Sequence, residues 1–573
     1  MDLLDGKRWE VHPAAPPEYV RDLPSIRPIL AQILYNRGLN AHKAQEMLEG
    51  RKPDQDDPFL MRDVDKAVDL IREVVLAKEP IVIYGDYDVD GITAAAVLMS
   101  TLDAFGAVVD VYIPNRVDEG YGLNKEAIAA LAEDGVLLMI TVDCGTRSIA
   151  EVQLAKHLGM TVIITDHHNA NGTLPPADAI INPKQSECNY PFKELAGVGV
   201  AYKLAQALIR KNKADALRTT RKELEETALL DMVALGTVAD MVPLMGENHY
   251  LVAAGLERIN VGDHPGLSAL MQVAGVKPGE ITAKTIGYNF SPRLNAAGRI
   301  SDAKKALNLL LAEDMERALP LAKELDVLNS ERRELTQRVR DEARAMVLQK
   351  DKPQALIFAA SENFAAGVVG LAANRLVDEF NRPAVVIAKE GEYSKGSARS
   401  IPEFHITEAL DSMPDVLLVR HGGHPAAAGF TIKTVFIPEF ESRLYALAQL
   451  QLEGLNLTPV FAIDAEIPLT DLSWDLYYEL ERLEPYGFGN PLPVFASRKV
   501  RVCNPHAVGK DGRHLKFSVE DSLGTQWDAI AFHLGYWVER IPSHVDIAYV
   551  LERNVWYGNV RLQLNVKDIH FAG

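Results

Sequence analysis

The chain has 573 residues, a net charge of −19, and 47% hydrophobic and 24% charged side chains, a balance that fits a globular protein of three or four domains. No apolar run reaches the ~18 residues that a membrane span needs, and the acidic, proline-rich start MDLLDGKRWEVHPAAPP holds no signal-peptide core. Three widely separated cysteines, Cys144, Cys188 and Cys503, argue against a zinc knuckle and fit a reducing compartment, so the cytoplasm is the expected location and no membrane partner is expected.

After Pro80, strands and helices alternate. IVIYG precedes a helix from Ile92. VVDVYIPNR reads as a second strand, VLLMITVDCG as a third, TVIITDHH as a fourth and ADAIINP as a fifth, with helical stretches between them. This rhythm predicts a parallel sheet with right-handed crossovers. One charged helix is predicted from Pro320 to Gln349, roughly 45 Å long, as a connector. QALIFAA and PAVVIAKE then predict a second α/β unit around the helix VVGLAANRLVDEF. Beyond about Asp464, five short alternating runs predict a small barrel of the oligonucleotide-binding (OB) type. The expected segments are 1–50, 51–318 (catalytic), 319–350 (connector), 351–456 (substrate-binding) and 457–573 (barrel). From Phe495 to Gly573 there are ten Lys/Arg and eight Asp/Glu, so the barrel is +2 and the remainder −21. A negative total does not exclude nucleic acid, because distribution decides.

The first strand of this α/β rhythm ends in three carboxylates, Asp86, Asp88 and Asp90, within GDYDVDG. The spacing D-x-D-x-D-G also opens a calcium loop, but that loop needs Glu at its twelfth position and Val97 stands there. The third strand ends in Asp143 and the fourth in Asp166, His167 and His168. Ligands in open α/β sheets bind at the carboxyl ends of strands, so one crevice should collect all of these groups. Asp240, ending a predicted helix, could close it. Carboxylates with imidazole are ligands for divalent cations, and the imidazole tilts the choice from Mg²⁺ toward Mn²⁺. More ligands are present than one ion needs, which points to a pair of ions and phosphoester hydrolysis.

DYDVDG, VDCG, TDHHN and GTVADMVP resemble, in order and spacing, the motifs of the DHH phosphoesterase family. GSARS and HGGHPAAAGF resemble its associated substrate-binding domain, and with SPRLNAAGR and the OB-like end the chain is similar to the family's single-strand-DNA-specific exonucleases. The resemblance implies 5′-to-3′ hydrolysis of single-stranded DNA to mononucleotides, in repair and recombination. It implies Asp88 and Asp90 on separate metals, Asp143 bridging, His167 and Asp240 on the second metal, and Asp86 as a further ligand or a neighbour of one. His168 matches a catalytic or phosphate-contacting histidine, with Asp166 orienting the imidazoles. A single-strand-binding protein and a helicase are implied partners, and the chain is expected to be a monomer. Hydrolysis of short or cyclic oligonucleotides, or a silent nucleic-acid scaffold, are the competing functions.

Other residues are candidates for holding substrate. Gly367 and Gly370 flank a helix start that could hold phosphate or serve close packing. GSARS places Ser397 and Arg399 together in a turn, suited to a terminal phosphate, with Arg375 a further candidate. His421 and His424 surround two glycines, and His424 matches a scissile-phosphate contact in the family. Arg293, Asn295 and Arg299 could meet the DNA backbone, with a structural salt bridge as the alternative. Of the barrel aromatics Phe517, Trp527, Phe532, Tyr549, Trp556 and Tyr557, most should be core and one or two could stack on bases.

Overall fold

The computed structural model describes residues 7–52, 56–116, 119–120, 122–170, 172–349, 355–556 and 558–572. Two compact units result: Asp57–Asp240 with Ala254–Leu457, and Met1–Asp56 with Met241–Ala253 and Thr458–Gly573. Among the described residues, no helix is long and apolar enough to cross a membrane.

After a first helix (Val64–Ala77), the larger unit builds its sheet from β1 (Pro80–Gly85), β2 (Val108–Tyr112), β3 (Leu138–Val142), β4 (Thr161–Thr165) and β5 (Ala179–Ile181), with α1 (Val89–Ala104) following β1. The sheet order is β2-β1-β3-β4-β5, all parallel. Ile83, Ile140 and Ile163 stand side by side in register and are fully buried. Burial on both faces explains why these strands read as unbroken apolar runs. Helix α1 has no polar face because α2 (Gly197–Ala214) and α3 (Leu230–Ala239) pack over it.

Next come α4 (Ser291–Ile300) and the long α5 (Met315–Leu348). Helix α5 starts five residues before the predicted Pro320, which sits inside it. Asp314 supplies the cap, accepting from the Arg317 N–H at 2.8 Å. That cap, with Ala318, Ala322 and Leu325 buried below it, offsets the backbone donor that proline lacks.

The second sheet contains β6 (Ile357–Ser361), β7 (Ala384–Ala388), β8 (Tyr393–Arg399), β9 (Leu418–His424) and β10 (Ala427–Lys433), with α6 (Val369–Phe380) between β6 and β7. Its order is β9-β10-β8-β7-β6; β6 and β7 are parallel and the other pairs antiparallel. GSARS is therefore not a turn, as its Gly and Ser suggested, but the end of a central strand. Ser394, Gly396 and Ala398 point inward and are buried, leaving Lys395, Ser397 and Arg399 on the other face. Gly396 is there for contact: a Cβ would come within 2.1 Å of the Phe430 ring.

In the smaller unit, β11 (Phe495–Val508), β12 (His514–Glu520), β13 (Gln526–Ala531), β14 (His544–Trp556) and β15 (Asn559–Phe571) run in the order β11-β12-β13-β15-β14. Pairing of β14 with β11 closes a five-stranded barrel of the expected OB type. Phe495, Leu515, Phe517, Tyr549 and Leu564 fill it, and Leu30, Ile33 and Leu34 from the N-terminal segment join the same core. Strand Arg8–Val11 pairs in parallel with Val460–Ile463, so the first and last parts of the sequence fold together.

Candidate metal centre and its basic rim

Strand ends of the parallel sheet carry the acidic cluster. Asp88 caps α1, its Oδ1 accepting from the N–H groups of Asp90 (3.0 Å) and Gly91 (3.2 Å). Gly91 is required: a Cβ would lie 2.6 Å from the Asp86 carbonyl oxygen. Asp90 is pinned from the other side, accepting from Gly197 N–H at 2.7 Å and Val198 N–H at 2.8 Å at the start of α2. Negative charge is favoured at a helix N-terminus. Asp143, just past β3, has a left-handed backbone with φ 60°. Gly197 lets it in, since a Cβ there would be 2.7 Å from its carboxylate. A strained non-glycine residue held this tightly is a mark of a functional site.

Asp86, Asp88 and Asp143 gather as one group, Asp90, His167 and Asp240 as another, and Asp143 with His167 and His168 as a third; within each, potential ligand atoms lie within 4.8 Å of one another. His167 Nε2 is 3.1 Å from Asp143 Oδ1, 3.7 Å from Asp240 Oδ2 and 3.9 Å from Asp90 Oδ2. Burial, and then neighbouring carboxylates, push the Asp86, Asp90 and Asp143 carboxyls well above the usual range. Burial and then Asp88 push Asp240 to about 7. Burial and the charge of His168 push His167 down to about 3, so its imidazole is neutral. Both of its ring nitrogens are buried without a hydrogen-bond partner, as is Asp86 Oδ1. A neutral imidazole and lone pairs aimed inward among crowded carboxylates are what divalent cations require.

Asp166 works differently. Its Oδ1 accepts from the His167 and His168 N–H groups (2.7 and 3.1 Å) and lies 2.7 Å from His168 Nδ1, while Oδ2 accepts from Thr146 N–H at 2.9 Å. Burial opposes its charge, but the His168 hydrogen bond and charge win and hold the carboxyl well below its ordinary value. Burial alone would lower His168; the Asp166 bond, with Asp240 and Asp86 adding to it, raises it instead.

A basic rim borders these acids. Arg399, on β8, donates from Nη1 to Ser397 Oγ at 2.9 Å and to the Ala398 carbonyl at 2.8 Å. Arg116 stacks over the Tyr87 ring at 4.8 Å and its charge reaches Asp86. Arg299, on α4, is pushed down to about 9 by burial and then by Arg116, Arg332 and Arg399. Arg399 is likewise lowered by burial and Arg116. Guanidiniums of like charge gathered in one partly buried place favour an anion between them.

Residues 80–237 match the DHH family, N-terminal domain; residues 353–451 match the DHHA1 domain and 463–568 the RecJ OB domain. The single-stranded-DNA-specific exonuclease RecJ of Bacillus subtilis strain 168 is 39% identical over 574 residues, covering 99% of this chain and 71% of that protein. The chain belongs to the RecJ family. Crystal structures of RecJ from Thermus thermophilus have the same fold. The Mn²⁺ complex matches with a TM-score of 0.84 at 30% identity, over 100% of this chain and 81% of that one. The Mg²⁺ complex matches with a TM-score of 0.78 at 29% identity, over 99% and 79%.

In this RecJ-family chain, Asp86, Asp88, Asp90, Asp143, Asp166, His167, His168 and Asp240 all converge. Ser397, Arg399 and Arg299 meet at the rim. His424, exposed on β9, feels His168, Arg147 and Lys184 after burial lowers it. Other candidates stand apart. Arg293 is committed to Asp326 at 2.9 Å and the Asn289 carbonyl at 2.7 Å, the salt-bridge alternative. Asn295 is part-buried on the same helix. Arg375 is exposed on α6 and donates to Gln337 Oε1 at 3.3 Å. His421 pairs with Asp411 at 2.9 Å. Gly367 serves packing, since a Cβ would be 2.1 Å from the Arg299 carbonyl. A Cβ on Gly370 would crowd Arg399 and Ser397, both at 2.9 Å.

Sequence reasoning missed Arg116, although it follows β2 at the same sheet edge as the acids; that position was the available signal. In the barrel, Phe517 and Tyr549 are core, and Trp527 donates to the Leu469 carbonyl at 3.1 Å. Phe532 is exposed, as is Tyr536 beneath Arg540. The Trp556 side chain and Tyr557 lie outside the described residues.

Proposed function

We propose that the protein is a 5′-to-3′ exonuclease that hydrolyses single-stranded DNA to mononucleotides with two Mn²⁺ or Mg²⁺ ions, in DNA repair and recombination. The observation that carries this reading is the meeting of two like-charge clusters of opposite sign: buried carboxylates around a neutral imidazole, and three guanidiniums beside them. One suits cations, the other a terminal phosphate.

Asp86, Asp88 and Asp143 would hold one ion, Asp90, His167 and Asp240 the other, with Asp143 shared. Bound there, the ions would supply activation of water and neutralisation of phosphoryl charge. His168, whose charged form the Asp166 bond favours, would donate a hydrogen bond to a phosphoryl oxygen, and His424 approaches from the other lobe. Arg399, Ser397, Arg299 and Arg116 hold the 5′-phosphate, which sets polarity by placing the terminus one nucleotide from the cut. Water adds to phosphorus and the bond to O3′ breaks. The mononucleotide leaves with its 5′-phosphate, and the shortened strand carries a new one into the next cycle. Exposed Phe532 and Tyr536 on the barrel offer faces for bases.

The chain works as a cytoplasmic monomer, with a single-strand-binding protein and a helicase preparing its substrate. Time-resolved product sizing on a long, 5′-labelled single strand with Mn²⁺ tests the reading. Labelled mononucleotide should appear first, and EDTA should stop it. Internal fragments, or cleavage that survives EDTA, would overturn it.

A further inference from the structure

The rim does not end at Arg299. Arg332, on α5, is felt by Arg299 and in turn feels Arg333 and Arg375. Its Nη2 donates to Asn329 Oδ1 at 2.9 Å, but its Nε is buried with no hydrogen-bond partner. From there Arg333, Glu334, Gln337, Arg338 and Asp341 follow one stripe of α5, and Arg375 faces them from α6. These six residues line a cavity of 580 Å³. Asp341 is engaged by Arg340 at 3.0 Å and by Gln337 Nε2 at 2.7 Å. Arg333, Arg338 and Arg375 form no salt bridge among the described residues. Three arginines outnumber the two carboxylates Glu334 and Asp341 around this cavity, in a chain with a charge of −19, so its lining favours an anion.

Size and lining narrow that anion. A volume within ~300–1,000 Å³ is large enough for a nucleotide-sized molecule. Guanidiniums can take a phosphate, while Glu334 and Asp341 can accept from a base amino group or a sugar hydroxyl. Arg299 feels both Arg399 and Arg332, so the rim and the start of this stripe lie within electrostatic reach of one another.

We propose that the cavity between α5 and α6, lined by Arg333, Arg338 and Arg375, binds the released 5′-mononucleotide on its way out. This rests on the reading that the 5′-phosphate is held at Arg399. A departing nucleotide must clear that anchor before the new terminus can occupy it, and a neighbouring set of guanidiniums lowers the cost of leaving.

Binding of 5′-dTMP to the full-length Mn²⁺ enzyme, measured by titration calorimetry, tests this with Arg333→Ala/Arg338→Ala. Both side chains are exposed, so folding should survive. The wild type should bind one more dTMP per chain than the variant. Single-turnover cleavage should stay within about twofold, while steady-state turnover falls about fivefold or more, since charge-assisted contacts are the strong ones. Arg399→Ala should remove a different binding event and leave the cavity filled, so failure of the anchor and failure of the exit site read out separately. Equal dTMP stoichiometry in wild type and double variant would overturn the proposal. So would a matching loss in single turnover, which would assign the arginines to the strand, or capture of an acidic protein segment there with no dTMP bound.

Discussion

The acidic floor and the basic rim are both collections of like charge, yet they are assembled in opposite ways. Floor carboxylates sit at the ends of strands adjacent in one sheet, β1, β3 and β4, with Asp240 from the end of α3, and backbone N–H groups hold several of them: Asp88 at its own helix, Asp90 at α2, Asp166 at its own loop. Rim guanidiniums come from a loop (Arg116), a helix (Arg299) and a strand of another sheet (Arg399), and hydrogen bonds hold them only in part. Backbone donors that fix the floor suit cations, which need set geometry, and longer arms held only in part suit a group that must come and go.

Disabling the floor should have the largest effect. Asp143→Asn should reduce hydrolysis to background. Asn tolerates the left-handed backbone at this position, so the fold should be kept. With EDTA the variant should melt no lower than wild type, because it removes one carboxylate from a site that burial and repulsion already penalise. The rise in Tm that Mn²⁺ gives the wild type should shrink or vanish. Full activity, or an undiminished Mn²⁺ shift, would break the comparison.

Next come the two histidines. His168→Ala should lower kcat by on the order of 10²–10⁴ with Mn²⁺ affinity little changed. His167→Ala should weaken Mn²⁺ binding together with the rate. Calorimetry beside kinetics separates them; the same loss of Mn²⁺ affinity in both would show that the floor does not divide its work.

The rim should give a smaller, selective effect. A hydrogen bond to a charged group is worth ~1.5–3 kcal/mol, so Arg399→Ala should cut kcat/KM on 5′-phosphorylated strands roughly 10- to 100-fold. On 5′-hydroxyl strands it should cut much less, and Arg399→Lys should recover only part. An unchanged ratio of the two substrates would move the anchor to Arg116 or Arg299. Phe532→Ala should have a smaller effect still. It should weaken binding to long strands about fivefold or more with cleavage of short ones unchanged; equal binding would give the barrel's exposed aromatics another task. As a control, Arg293→Ala, which breaks the Asp326 pair and the Asn289 bond, should cost ~1–3 kcal/mol in stability and leave the ratio of the two substrates alone.

Much of this molecule is determined locally. The apolar runs that end in Asp86, Asp143 and Asp166 specify buried parallel strands, because only a sheet covered on both faces hides so many consecutive aliphatics. Once those strands are parallel and adjacent, their carboxyl ends must meet, so the floor could be read from sequence order. The five barrel strands could be read from their alternation. The rest depended on contacts between distant segments. GSARS looked like a turn because Gly and Ser favour turns, and only packing against Phe430 and β7 makes it a central strand. Arg293 and Arg299 lie six residues apart on one helix, yet Asp326 takes the first and the rim takes the second. Arg116, in a loop with no motif, becomes part of the rim only when Arg299 and Arg399 are brought up to it. Local sequence specifies which backbone forms. Which charges face one another is decided by the tertiary fold, since Coulomb interactions depend on distance in space and not along the chain.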